Sequence, residues 1–197
     1  MVESLGKANL ALLVEESART PAGTHPSYDA TEEGHAQTMA IPHPAQLSTP
    51  SPVSVVRPAR RDDAGQLAAL SRPFALSGAL RERPADLYAT HAAEFLVVES
   101  LAGELDGCVG LKTYGEAGVL YNFCVAEHRQ GTGVGGRLME AALERAQLLT
   151  LTALFTATAG SGALFLRHGF TPARMDARTP SGWHPRQGSR VLVHHVR

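Results

Sequence analysis

The run Gln130-Gly131-Thr132-Gly133-Val134-Gly135-Gly136 limits the fold more than any other stretch of the 197 residues. Before it, GVLYNFCVAE (118–127) is apolar, β-branched and aromatic, the pattern of a strand inside a sheet. After it, Val134, Leu138, Ala142, Ala146 and Leu149 recur at helical spacing and give residues 134–149 one apolar face. Glycines at the junction permit dihedrals and close backbone approaches that other residues resist. The first amides of such a helix have no intrahelical acceptor and lie at the positive end of its dipole. The junction is therefore suited to an anion such as a pyrophosphate. The bland alternative is a tight turn with a cap, but glycine in the first helical turn costs stability without structural return.

Two better-known phosphate loops do not fit. No lysine follows the glycines, which excludes a Walker A loop. Gly131, Gly133 and Gly136 do spell G-x-G-x-x-G. However, the run Glu127–Gln130 separates strand from glycines, and no Asp or Glu occurs between Glu144 and Asp176. The acid that would hold a dinucleotide ribose is missing.

From Val53 onward strand and helix signals alternate. Strands are predicted at 54–59, 94–100, 103–114, 118–127, 150–158 and 189–196. Asp62 or Asp63 can cap a helix carrying Leu67 and Leu70, and a short helix over 161–170 ends at Gly169. Apolar residues make up 44% of the chain, enough for one medium core. The prediction is an α/β (α+β) domain over 53–197. Residues 1–52 differ: they carry two basic and six acidic side chains and six of the twelve prolines. Between 20 and 52 little besides Tyr28, Met39, Ile41 and Leu47 could be buried, so a disordered tail is expected, with a short helix over 4–18.

Composition narrows the function classes. A net charge of −1 argues against a nucleic-acid partner held by phosphate contacts. Two cysteines exclude a disulfide scaffold and a four-thiolate zinc site; each sits in a strand, where free cysteine is a small hydrophobe. His194 and His195 are adjacent, face opposite ways on a strand, and leave no metal set. The nineteen uncharged residues Leu148–Leu166 are long enough to span a bilayer, but four threonines and Gly160-Ser161-Gly162 interrupt them. A strand buried on both faces reads the same way, so no membrane span is predicted. Leu10–Val14 is too short for a secretory signal, and a cytoplasmic location is expected.

The loop Gln130-Gly131-Thr132-Gly133-Val134-Gly135 resembles the Q/R-x-x-G-x-G/A loop of the GCN5-related N-acetyltransferases (GNAT superfamily). Phe165-Leu166-Arg167-His168-Gly169-Phe170 is similar to their later helix, which ends in Gly-Phe. The resemblance covers about three quarters of the chain. It implies a mixed, mostly antiparallel sheet splayed at the central strand near Val125, with flanking helices and acetyl-CoA in the opening. Main-chain groups of Phe123, Cys124 and Val125 would run beside the pantetheine arm, and amides of Gln130, Gly131, Thr132, Gly133, Val134, Gly135 and Gly136 would hold the pyrophosphate. A narrower resemblance is to N-acetylglutamate synthase-like amino-acid acetyltransferase domains. It rests on Arg72-Pro73, Leu80-Arg81-Glu82-Arg83, Leu87-Tyr88, Gly107-Cys108-Val109, Trp183 and Ser189-Arg190-Val191-Leu192. Two departures stand out: Val119 replaces the acid that often opens the central strand, and Gln187 replaces an arginine before the terminal serine.

The resemblance implies acetyl transfer from acetyl-CoA to a primary amine of an amino-acid-like small molecule. Catalytic candidates are Tyr121, Asn122 and Glu116. Of the first two, strand alternation sends one into the cleft and the other away, while Glu116 could act as a base through water. Phe165 stands where many relatives use a tyrosine acid and has no proton to give, so the rate is expected to rise with pH without an acidic limb. Arg81 and Arg83 could bind a substrate carboxylate or simply solvate a helix face, and Ser189 is a further substrate candidate. The alternative is a non-catalytic acyl-CoA sensor or interaction module on the same fold. A homodimer and a protein amine as acceptor both stay open.

Overall fold

Strand β1 (Val55–Pro58) starts a sheet that grows by hairpins. β2 (Phe95–Glu99), β3 (Leu105–Tyr114) and β4 (Ala117–Val125) follow as antiparallel neighbours. The computed structural model describes residues 54–176 and 179–196. The tail expected over 1–52, with its helix at 4–18, lies outside the described residues. The glycine-led helix α3 (Val134–Leu148) then carries the chain over one face to β5 (Ala153–Thr158), which pairs parallel with β4. β7 (Arg190–His195) and the two-residue β6 (Thr171–Pro172) complete the order β1-β2-β3-β4-β5-β7-β6. The mixed, mostly antiparallel sheet expected from the sequence is present.

Both faces are covered. On one, Val134, Leu138, Met139, Ala142 and Ala146 of α3 pack on Val98, Val109, Leu111, Leu120 and Leu154, joined by Phe165 of the short helix α4 (Ala163–Arg167). Leu149, read as part of the α3 face, instead lies past the helix end and is 43% exposed. On the other face, Leu67 of α1 (Ala64–Leu76) and Tyr88 of α2 (Ala85–Thr90) pack on Phe95, Val97, Cys108 and Cys124. Helix α2 was not predicted: it has six residues, and Pro84 sets its start. Val119, Phe155, Val191 and Val193 form a third cluster.

The sheet divides along β4. Ala117–Leu120 pair with Ala153–Thr156, and there the ladder ends. Beyond it β4 stays with β3 as far as Val125, while β5 continues to Thr158 beside β7. The split therefore opens after Leu120, and Val125 lies farther along it. Inside the split, Cys108 opposes Cys124 and Gly110 opposes Tyr121, so Asn122 and Phe123 face the single residue Val109. That is a β-bulge, and Asn122 sits in it at φ 51°.

Asp63 takes the N-cap position of α1, but its carboxylate makes no cap bond. It accepts two bonds from Arg57, at 2.7 and 2.9 Å, and one from the Arg60 amide. Arg57 also pairs with Glu99. The Arg57 hydrogen bond holds the Asp63 carboxyl below its ordinary 3.8. Asp63 is 6% exposed, so Asp63→Ala leaves the half-buried Arg57 guanidinium short of one partner and should cost about 2 kcal/mol at pH 7. A depressed folded-state pKa stabilises above the unfolded value and is lost as pH falls through the folded one. The deficit of the variant in urea unfolding should therefore shrink below pH 3.8; an equal deficit at pH 3 would contradict the pairing.

Candidate functional site

A cavity of about 550 Å³ opens where β4 and β5 part. Leu120, Tyr121, Asn122 and Ala157 form its floor, and residues 78–81, Arg83 and residues 182–189 form its rim. The two rim segments touch: Arg81 Nη2 donates to the His184 carbonyl at 3.4 Å, and Arg186 donates to the Gly78 carbonyl. Among the described residues, Arg81, Arg83, Lys112 and Arg186 face the cavity with one carboxylate, Glu94. That excess of cations suits an anionic ligand.

The bulge decides how the floor is built. Alternation would send Tyr121 and Asn122 to opposite faces, but the extra residue places both on the cavity side, and Phe123 turns to Phe165 instead. The Tyr121 ring lies on the backbone of Gly110, where a Cβ would come within 2.6 Å of the ring. It packs edge-on to Phe95 and has the Arg83 guanidinium 5.2 Å above it, a favourable cation–π position. So held, its hydroxyl donates to Glu94 Oε2 at 2.7 Å, while Glu94 Oε1 stands 2.8 Å from His91 Nδ1. Burial first, and then the Glu94 hydrogen bond, push the Tyr121 phenol well above its ordinary value. It remains protonated across the physiological range.

Asn122 is 4% exposed and both ends of its amide are engaged. Oδ1 accepts from Arg83 at 3.1 Å and from Tyr88 at 3.2 Å. Nδ2 donates to Ser71 Oγ at 2.9 Å and faces Cys108 Sγ at 3.7 Å. Its side chain ties α1, α2 and the rim arginine to the bulge. Cys108 and Cys124 face each other with sulfurs 3.4 Å apart, both buried. The contact with Cys124 and burial together push the Cys108 thiol well up.

Beyond the split, β4 enters the glycine junction. Gln130 Nε2 donates back to the Val125 carbonyl at 3.2 Å, and Thr132 Oγ1 to the Arg129 carbonyl at 2.7 Å. Asp106, 3% exposed, stands 3.1 Å from Arg129 Nη2 and receives the Ala126 amide on its backbone carbonyl at 2.8 Å. Gly131 and Gly133 have φ of 75° and 86°, the left-handed region that glycine enters freely. Gly133 is the N-cap of α3 and has no side chain to cap with. The amides of Val134, Gly135 and Gly136 thus begin the helix without a capping side chain, an arrangement suited to an anion. A Cβ at Gly133 or Gly136 would meet no atom within 4 Å.

The remaining candidates divide. Arg83 and Ser189 line the cavity, as does Arg81 at its rim. Both arginines lie in the coil between α1 and α2, so the alternative of a solvated helix face does not hold. Glu116 is exposed in the β3–β4 turn, where its carbonyl holds the Thr152 amide, and the structure does not bring it to the cavity. Phe165 is buried against Phe123 and Phe170. Glu94 and His91 were missed because they sit in the turn before β2, and Lys112 because it is exposed within β3, where charge reads as solvation.

Residues 91–172 match the model of the acetyltransferase (GNAT) domain. Over 123 residues the chain is 32% identical to the amino-acid acetyltransferase of Neisseria meningitidis serogroup A and 36% identical to that of Ralstonia nicotianae. Each alignment covers 61% of this chain, which spans only about a quarter of the relatives' length (28% and 27%). Among solved structures, N-acetylglutamate synthase from Neisseria gonorrhoeae, complexed with coenzyme A and N-acetyl-glutamate, superposes with a TM-score of 0.66 at 27% identity. The superposition covers 74% of this chain and 35% of that one. A Mycobacterium tuberculosis protein solved with CoA superposes at 0.64 and 22% identity over 73% of this chain and 99% of that one, a likeness of fold. Among the described residues no helix is long and apolar enough to cross a membrane, and no three His, Cys, Asp or Glu side chains gather as metal ligands.

Proposed function

We propose, from the premise that this chain carries a GNAT acetyltransferase domain, that residues 53–197 transfer the acetyl group of acetyl-CoA to the primary amine of an amino-acid-like small molecule. What carries this reading is the continuity of one stretch of chain. The polar cavity opens at Tyr121, the free edge of β4 runs from there to Val125, and the uncapped amides of Gly131–Gly136 follow. A pyrophosphate on those amides would lay the pantetheine arm along β4 and bring the thioester to the cavity floor. Backbone N–H groups of the split strand would meet the developing oxyanion.

The acceptor reading rests on the rim. Arg83, which lines the cavity, spends Nη1 on Asn122 and on the Arg81 carbonyl and keeps the donors of Nη2, which suits a carboxylate. Arg81, Lys112 and Ser189 add donors around the same space. The bonds from Arg81 to His184 and from Arg186 to Gly78 bridge the mouth, favouring a small acceptor over a protein chain.

The buried apolar side chains Val119 and Phe165, at positions where relatives carry reactive groups, favour the second reading, an acyl-CoA sensor. Free-thiol release from acetyl-CoA with a panel of amines separates the two. Turnover with an amino acid supports the enzyme. Acetyl-CoA binding without turnover on any amine supports the sensor.

A further inference from the structure

Val119, which opens the face of β4 that becomes the cavity floor, is 3% exposed among Phe155, Val191 and Val193. It cannot accept a proton, yet acetyl transfer to an amine needs one removed: at pH 7 an alkyl ammonium is almost wholly protonated. Glu116, the sequence candidate, stands outside the cavity. Among the described residues Glu94 is the one carboxylate that lines it.

The surroundings of Glu94 are those of a held and accessible base. It lies in the turn that leads into β2, and its side chain is 26% exposed. Oε2 accepts from Tyr121 at 2.7 Å and Oε1 stands 2.8 Å from His91 Nδ1, which fixes the carboxylate while leaving lone pairs toward the cavity. The Tyr121 ring that meets it belongs to the first β4 residue beyond the last β5 pair, the place where the thioester would arrive. His91 from its own turn and Tyr121 from β4 touch Glu94, and Arg83 from the rim, Tyr88 from α2, and Lys112 and Tyr114 from β3 line the same cavity. The Tyr121 phenol, held neutral by burial and by Glu94 itself, donates to the carboxylate and does not compete with it for a proton.

We infer that Glu94 is the general base of the acetyl transfer, supplied from the start of β2 in place of an acid at Val119, with Tyr121 and His91 as positioning residues. This rests on the acetyltransferase reading of the cavity. One proton of the substrate ammonium passes to the Glu94 carboxylate, directly or through one water. The freed nitrogen lone pair forms the C–N bond to the acetyl carbon, and the C–S bond breaks with its electron pair on sulfur. The second nitrogen proton goes to that sulfur, giving amide and coenzyme A thiol, and Glu94 releases its proton to the open mouth of the cavity.

The test uses the full chain with acetyl-CoA and, as probes, L-glutamate, L-arginine and a series of other amino acids. With an acceptor that the wild type turns over, Glu94→Gln should lower kcat about 10²-fold at pH 7, the usual contribution of a positioned base. The acetyl-CoA KM should stay within about twofold. The deficit should shrink as pH rises toward the pKa of the amine, where free amine no longer needs a base. Glu94→Asp, which keeps a carboxylate, should recover part of the rate and the wild-type slope with pH. Equal kcat and equal pH dependence in wild type and Glu94→Gln would overturn the assignment alone. A wild type that binds acetyl-CoA but acetylates no amine would overturn the acetyltransferase reading, and this assignment with it.

Discussion

Gly133→Val should weaken acetyl-CoA binding about 10³-fold while leaving a folded domain. The N-cap of α3 is at φ 86°, where a β-branched residue is strained by about 1–3 kcal/mol. A Cβ there meets no atom of the protein within 4 Å, so the fold has no steric reason to collapse. The loss falls on the ligand. A valine side chain stands in front of the Val134, Gly135 and Gly136 amides, and relief of the strain turns them away. Hydrogen bonds to a charged group contribute about 1.5–3 kcal/mol each, so losing two removes roughly 3–6 kcal/mol, or two to four powers of ten in affinity. Titration calorimetry with acetyl-CoA, beside a thermal melt of the same sample, measures both quantities. Wild-type affinity in a folded variant would mean that the glycines make only a turn.

Asn122→Leu is expected to have the largest effect on stability. Leucine is close in size to asparagine but has no hydrogen-bonding groups and resists a positive φ, at a cost of about 1–2 kcal/mol. Ser71 Oγ and the Tyr88 hydroxyl lose their Asn122 partner in the interior, at about 1–3 kcal/mol each. Together these give a loss of about 4 kcal/mol, which for a domain of this size lowers Tm by roughly 10 °C. Arg83 loses its anchor as well, so acceptor KM should rise while acetyl-CoA affinity, determined at the glycine junction, changes far less. A shift of Tm under about 2 °C would show that the network around Asn122 contributes little.

These two residues mark how far the sequence could be read. The strands, α3 and the glycine junction were legible because each rests on local pattern: β-branched runs at 95–99 and 153–158, a four-residue repeat from Val134 to Ala146, and glycines where the chain turns left-handed. The split of the sheet at the central strand came from the family resemblance. Its starting point did not, because nothing in Leu120-Tyr121-Asn122 says that pairing with β5 stops at Leu120. The bulge was hidden for a related reason. Tyr-Asn-Phe-Cys is compatible with regular alternation, and only the register against Cys108 and Gly110 shows that Asn122 and Phe123 share one partner. Asp62 or Asp63 was expected to cap α1; Asp63 takes the position, but the pull of Arg57, six residues earlier and on another element, replaces the cap bond. Glu94 and Glu116 look alike in sequence, as acids beside strands. Only the pairing of β2 with β3 and the bulge in β4 bring one of them to Tyr121 and leave the other in solvent.

The account is tested most directly by a crystal structure of the chain grown with acetyl-CoA. The expected density has the pyrophosphate on the amides of Gly131–Gly136, the pantetheine arm along Phe123–Val125, and the acetyl group at the cavity floor beside Tyr121. Acetyl-CoA bound with its pyrophosphate away from the α3 N-terminus, or with its acetyl group outside the cavity that holds Glu94 and Arg83, would contradict it.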